Sequence, residues 1–134
     1  SVRPPRNPTG DSHVMNLIIA GGRDFRPELI HEKWLDELHA ATPVTQVISG
    51  MERGGGMFGV IWARRNAITV VECPADWQRY GMMAGIITNQ HMASTADAAA
   101  LFPGGTGTQN MYYQAVKAGL TIYDWRDRDL SSPP

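Results

Sequence analysis

Pro103-Gly104-Gly105-Thr106-Gly107-Thr108 is the stretch that decides the fold of this chain. It follows an apolar run, 98–102, and precedes a helix-like segment, 109–118. A strand that runs through a glycine-rich turn into a helix directs backbone N–H groups and the positive end of the helix dipole at one spot, which suits a phosphate or another anion. We expect glycine there because a side chain would keep a ligand away from the backbone. The stretch lacks the Gly-Lys-Ser/Thr end of a P-loop, which argues against ATP hydrolysis.

Two further glycine turns follow candidate strands. Gly21-Gly22-Arg23-Asp24-Phe25 follows the strand-like segment 16–20, and a second glycine-rich stretch, 49–59, follows 45–48. Arg23 has the planar fork of donors that binds phosphate or carboxylate. Three glycine turns at the ends of three strands therefore predict one shared anion site; the alternative for 49–59 is an exposed loop in which Glu52 is solvated.

Apolar spacing along the chain alternates between the two regular periods. It predicts strands at 16–20, 45–49, 68–73, 97–102 and 120–125, helices at 27–41, 56–66, 82–94 and 108–118, and a loop at 74–81. This order predicts an α/β fold, a Rossmann-like three-layer sandwich with a mainly parallel sheet of about five strands and helices on both faces. Ligands of such open sheets bind at the carboxyl ends of the strands.

Composition limits the class of protein. The 134 residues suit one domain, and the net charge of −1 gives no general attraction to nucleic acid. A single cysteine, Cys73, which we expect to be buried, excludes an intrachain disulfide framework and favours a cytoplasmic location. No apolar run reaches the roughly 18 residues of a membrane span. We expect a polar N-terminal arm or expression remnant at 1–14, a folded domain at 15–126 and a polar tail at 127–134.

Several motifs together resemble the SLOG superfamily, in particular its YspA/YpsA-related branch, which is common in bacteria and phages. The motifs are Ile19 to Phe25, Val47 to Gly50 with Arg53-Gly54, Pro74 to Trp77, Asn89 with Met92, and Gly105 to Thr108 with Asn110-Met111. The resemblance implies a Rossmann-like fold, a nucleotide or nucleotide-derived ligand such as ADP-ribose or an NAD-related molecule, and a homodimer or higher homo-oligomer. The related LOG enzymes are phosphoribohydrolases that release the base from nucleoside monophosphates.

Departures from the family pattern concern charged positions. The glutamate that is central to LOG chemistry corresponds to Met111, which cannot transfer a proton, and the family's usual charged positions at Gly56, Met82 and Thr88 are neutral. We therefore expect a binding module that acts as a sensor or sequestering protein, and we assign no catalytic residue. The alternatives are a LOG-like phosphoribohydrolase and an assembly protein on a degenerate nucleotide-binding fold.

Candidate ligand-binding residues come from the turns and from two other positions. Asp76-Trp77 suits a ribose and a stacked base, although Trp77 filling the core with Asp76 as a cap is an equal alternative, and the same balance holds for Asn89. The full set is Gly21, Gly22, Arg23, Asp24, Phe25, Ser49, Gly50, Arg53, Gly54, Asp76, Trp77, Asn89, Gly104, Gly105, Thr106, Gly107 and Thr108.

Two further features complete the sequence predictions. The four histidines are scattered without metal-ligand spacing, so we expect no metal and no cofactor. Met82-Met83 and Ile86-Ile87 form an apolar segment that indicates a core helix or, together with Tyr112-Tyr113, a subunit interface.

Overall fold

Strands alternate with helical segments along residues 14–131, the part of the chain that this computed structural model describes. Residues 1–13 of the predicted arm and the last three residues of the predicted tail lie outside those residues. The strands are β1 (Asn16–Ala20), β2 (Gln46–Ser49), β3 (Thr69–Glu72), β4 (Ala98–Leu101) and β5 (Thr121–Asp124). The helices are α1 (Leu29–Ala41), α2 (Gly55–Arg65), α3 (Trp77–Tyr80), α4 (Ala84–Thr95) and α5 (Thr106–Ala118), with a 3₁₀ turn at Gly81–Met83 between α3 and α4.

The five strands form one parallel sheet in the order β3-β2-β1-β4-β5. The central strand β1 pairs Ile18 with Ile48 of β2 on one side and with Ala99 of β4 on the other. From β1 the chain builds outward first to β3 and then, after crossing back, to β5. The gap between the loops after β1 and β4 is therefore the topological switch point, where ligands of open α/β sheets bind. The predicted fold class is confirmed.

Alternate side chains of the strands pack on two separate cores. Leu17 and Ile19 of β1 face α1 and α2, where Trp34 and Trp62 are fully buried. Ile18, between them in sequence, faces α4 and α5. Because both faces of the sheet are covered, its inner strands are continuous apolar runs, as expected for a parallel sheet.

The two edge strands are short and end in carboxylates. Glu72 closes β3 and pairs with Arg64 at 3.5 Å, and Asp124 closes β5 and pairs with Arg126 at 2.8 Å. The Arg126 guanidinium, which hydrogen-bonds Asp124, holds the pKa of that carboxyl below its usual range.

Three local predictions need correction. The segment 74–81 was predicted as a loop, but Asp76 caps the four-residue helix α3 by accepting a hydrogen bond from the Arg79 N–H at 3.0 Å. Helix α5 begins at Thr106 rather than at Thr108 because Gly105 is its N-cap. Cys73 is only half-buried, at the end of an edge strand, and this partial burial raises the pKa of its thiol. No helix within 14–131 combines the length and hydropathy needed to cross a bilayer.

A buried histidine joins the start of α1 to the core. His31 Nδ1 accepts a hydrogen bond from the Glu28 N–H at 2.8 Å, and its ring packs edge-on against Phe25 and Phe102. An imidazole that accepts at Nδ1 is neutral. Burial accordingly lowers the pKa of His31 below its ordinary value of 6.5.

The His31 site predicts an acid-sensitive fold. Because the unfolded chain binds a proton near pH 6.5 that the folded chain resists, the free energy of unfolding should fall as the pH drops below about 6.5. Replacement His31→Gln should remove this contribution to the pH slope, since glutamine at this third helical position also accepts from the cap N–H. Urea unfolding between pH 5 and 8 measures it, with the exposed His91→Gln as control. An unchanged slope in His31→Gln would contradict the assignment.

Candidate functional site

The three predicted glycine turns meet at the carboxyl edge of the sheet. The Gly22 N–H donates to the Pro103 carbonyl at 2.9 Å, which joins the loops after β1 and β4. The Gly55 N–H donates to the Gly22 carbonyl at 3.1 Å, which joins the loops after β1 and β2. Gly22 is therefore the hydrogen-bonded centre of all three loops.

Most of these glycines are required by the packing of one loop on another. A Cβ at Gly55 would overlap the Gly21 backbone, and one at Gly22 would lie 2.7 Å from the Gly104 Cα. Gly54 adds a φ of 79°, which few other residues adopt. We expected glycine here so that a ligand could approach the backbone. At these positions glycine is instead needed because two backbone segments approach each other closely. Gly105 and Gly107 differ, because a Cβ at either would meet nothing within 4 Å.

The N-termini of α2 and α5 at this edge differ in whether their first amides already have acceptors. At α2 the Gly55 and Met57 N–H groups already donate to the carbonyls of Gly22 and Glu52. At α5 the first intrahelical bond is Gln109 N–H to the Gly105 carbonyl at 3.0 Å, so the N–H groups of 106–108 have no acceptor within the helix. This end of α5 has neither a side-chain cap nor an acidic residue in its first turn.

The open end of α5 faces a cleft of about 750 Å³. The cleft is bounded by the loops after β1 and β2 and by the starts of α4 and α5. Its lining residues are Gly21, Gly22, Arg23, Asp24, Glu52, Trp77, Met82, Gly85, Ile86, Asn89, Gly105, Thr106, Gly107, Thr108 and Asn110. A recess of about 70 Å³ lies beside it and reaches Ile19, Met92 and Met111.

Each charged residue that lines the cleft forms an ion pair. Arg23 Nε lies 3.3 Å from Glu52 Oε2, and both side chains are about half exposed. Beside them Arg53 Nη2 lies 3.5 Å from Asp24 Oδ1, on an exposed flank. Among the described residues, the cleft thus holds one cation, Arg23, and two carboxylates, Asp24 and Glu52, each in a solvent-accessible ion pair. Such pairs stabilise the fold little and remain able to exchange partners with a ligand.

The three predicted site residues in α4 and just before it, Asp76, Trp77 and Asn89, have different roles. Trp77 is 49% exposed and forms a wall of the cleft, so it does not fill the core, whereas Asp76 caps α3 and does not line the cleft. Asn89 Nδ2 donates to Asn110 Oδ1 at 3.0 Å and to the Gly107 carbonyl at 3.3 Å. Asn89 therefore fixes α4 against the first turns of α5.

Not every predicted site residue reaches the cleft. Ser49 is fully buried, where its Oγ donates to the Gly56 carbonyl and accepts from the Met51 N–H. Phe25 stacks on Phe102 in the core, with ring centroids 5.1 Å apart. Arg53 lines a neighbouring depression of about 460 Å³, which shares Arg23, Glu52 and Trp77 with the cleft.

Sequence reasoning missed several residues of the cleft. Glu52 was not assigned to the ligand site, yet its half-exposed side chain lines the cleft, the recess and the neighbouring depression. Met82, Gly85 and Ile86 were not assigned to the site, although their spacing with Asn89 places them on one side of a helix and would have indicated them. Within residues 14–131 no three His, Cys, Asp or Glu residues are grouped so as to hold a metal ion.

A parallel sheet with glycine loops and an open cleft at its switch point defines a Rossmann-like α/β protein. Residues 15–80 match the model of the YspA, cpYpsA-related SLOG family, and the chain belongs to this branch of the SLOG superfamily. The match covers β1 to α3, whereas Asn89 and the α5 end of the cleft lie beyond it. The chain is also similar to the Gene 61 protein of Mycobacterium phage D29, with 29% identity over 124 residues that cover 86% of this chain and 99% of the phage protein.

The loop packing predicts opposite effects for two glycine-to-alanine replacements. Gly55→Ala should lower the free energy of unfolding by about 2–3 kcal/mol, since the new methyl group overlaps the Gly21 backbone. Gly107→Ala should raise it by up to about 1 kcal/mol, because its methyl group meets open space and alanine favours the helix. Urea unfolding of both variants beside the parent protein measures this, and equal effects would contradict the packing argument.

Proposed function

We propose that this protein binds a nucleotide or nucleotide-derived ligand in the cleft, as a sensor or sequestering module. The observation that carries the proposal is the N-terminus of α5, which has no side-chain cap and faces the cleft. Gly105 and Gly107 leave open space there, and the same cleft is lined by an arginine and an exposed indole. Membership of the SLOG superfamily supports a nucleotide-related ligand.

A phosphate group would bind at the start of α5. The N–H groups of Thr106, Gly107 and Thr108 lack intrahelical acceptors there, and the helix dipole favours a negative charge. Gly105 and Gly107 leave the space over these amides free of side chains. Arg23, across the cleft, would exchange Glu52 for the phosphate as its anionic partner.

The remainder of a nucleotide suits the other walls. The half-exposed indole of Trp77 offers a face on which a base stacks, next to the apolar Met82 and Ile86. The carboxylates of Asp24 and Glu52 are acceptors for ribose hydroxyl groups. A volume of about 750 Å³ lies within the range of small-molecule sites.

Calorimetric titration with AMP, ADP-ribose and NAD tests the proposal. At least one ligand should bind, and Arg23→Gln should weaken it by roughly 10–100-fold, because a hydrogen bond to a charged group contributes about 1.5–3 kcal/mol. The matched control is Arg65→Gln. The Arg65 side chain is exposed to a similar degree (65% against 59% for Arg23) and is also paired with a glutamate, but it lies outside the cleft. Heat equal to dilution for every ligand would reject binding and favour the assembly role.

A LOG-like phosphoribohydrolase is the second candidate, favoured by one observation. Glu52 lines both the cleft and the recess that contains Met111, the position of the LOG glutamate. A carboxylate there could stabilise the positive charge that develops on the ribose as the bond to the base breaks.

Release of free adenine from AMP, followed by chromatography, tests the hydrolase. If the protein is an enzyme, Glu52→Gln should abolish release, whereas Asp76→Asn should retain it because Asp76 caps α3 outside the cleft. No release at high protein concentration would reject this candidate and leave the binding proposal intact.

A further inference from the structure

Glu52 occupies the junction between the cleft and the recess beside it. Its side chain lines both spaces, and so do Gly107 and Thr108 at the open start of α5. The recess measures about 70 Å³, which is room for a few water molecules. A phosphate held by the first amides of α5 would therefore lie close to the Glu52 carboxylate.

The backbone around Glu52 is fixed by hydrogen bonds on both sides. The Met57 N–H donates to the Glu52 carbonyl at 2.8 Å, and the Met51 N–H donates at 3.0 Å to Oγ of the buried Ser49. Met51 has a φ of 63°, a left-handed conformation that residues other than glycine rarely adopt and that persists where the surroundings support it. Moving Glu52 away from the cleft would require these bonds to break.

The positive charge at this end of the cleft suits one negative charge on a ligand rather than two. Within residues 14–131 the lining includes one cationic side chain, Arg23, and the N-terminus of α5 adds about half a unit of positive charge. When Arg23 moves to the phosphate, Glu52 loses its partner and faces the ligand as an anion. A ribose hydroxyl group satisfies that carboxylate by donating to it, whereas a second negative charge on the phosphate repels it.

We propose that Glu52 is a specificity-determining residue that makes the cleft accept a capped phosphate and exclude a terminal one. A capped phosphate is linked on two sides and carries one negative charge, whereas a terminal phosphate carries about −1.5 to −2 near pH 7. This selection, which rests on the proposed function, defines the class of ligand. The ligand is a phosphodiester, or a diphosphate substituted at both ends, rather than a nucleoside monophosphate.

Calorimetric titration with two matched pairs of nucleotides tests the selection. The methyl ester of AMP differs from AMP, and ADP-ribose from ADP, by a cap that removes the second charge of the terminal phosphate. At about pH 7.5 the capped member of each pair that binds should bind at least roughly tenfold more tightly. The Glu52 side chain is 42% exposed, so screening by solvent keeps this ratio well below that expected for a buried carboxylate.

Three substitutions show whether Glu52 causes the preference. Glu52→Gln keeps the shape of the side chain without its charge, and the ratio of the two affinities should fall to within about threefold of one. Asp24→Asn removes a charge from the same cleft, but this side chain is 97% exposed, so the ratio should change by less than about twofold. Glu32→Gln removes a carboxylate that is paired with Arg65 outside the cleft and should leave the ratio unchanged.

Several results would overturn this role of Glu52 and leave the proposed function in place. They are equal affinity for the two members of a pair, tighter binding of the terminal phosphate, and a preference for the capped member that survives in Glu52→Gln. Equal effects of Asp24→Asn and Glu52→Gln would assign the selection to the total charge of the cleft and would also overturn it. Heat equal to dilution for all four nucleotides would do the same, and the same result with NAD would reject the proposed function itself.

Discussion

Backbone-to-backbone contact between three loops is the constraint on which this molecule depends. Gly22 donates to Pro103 and accepts from Gly55, so one residue connects the loops that follow β1, β2 and β4. The contact is possible only where side chains are absent, because a Cβ at Gly22 or Gly55 would meet the backbone of another loop. The glycines hold the loops in place, and the ends of three strands become one rigid platform.

The same contact determines which polar groups remain for a ligand. Joining the loops uses the amides of Gly22 and Gly55 and the carbonyl of Pro103, while the first amides of α5 stay open. Asn89 holds α4 against this end of α5 through Asn110 and the Gly107 carbonyl. The cleft therefore has a preformed floor of backbone donors and walls of paired charged side chains that can move. The floor is fixed before a ligand binds, whereas the walls can adapt to it.

The fold could be predicted from the sequence because it rests on periodicity and on strand-end glycines, both of which are local. The convergence of the glycine turns also followed, since parallel strands end at the same edge. The directions of individual side chains could not be predicted in this way. Ser49 was assigned to the ligand but closes a turn inside the fold, and Phe25 belongs to the core. Glu52 enters the cleft because it pairs with Arg23, twenty-nine residues away, and no local pattern reports such a partner.

The two edge strands of the sheet determine whether a strand of another molecule can add to it. Each edge strand has four residues and finishes in a carboxylate held by an arginine, Glu72 with Arg64 and Asp124 with Arg126. Strands this short, with fixed negative charge at the rim, are poor templates for hydrogen-bonded addition of a neighbouring strand. The lowered pKa of Asp124 preserves that charge in mildly acidic solution. Open-ended growth of the sheet by addition of strands from other molecules is thereby disfavoured.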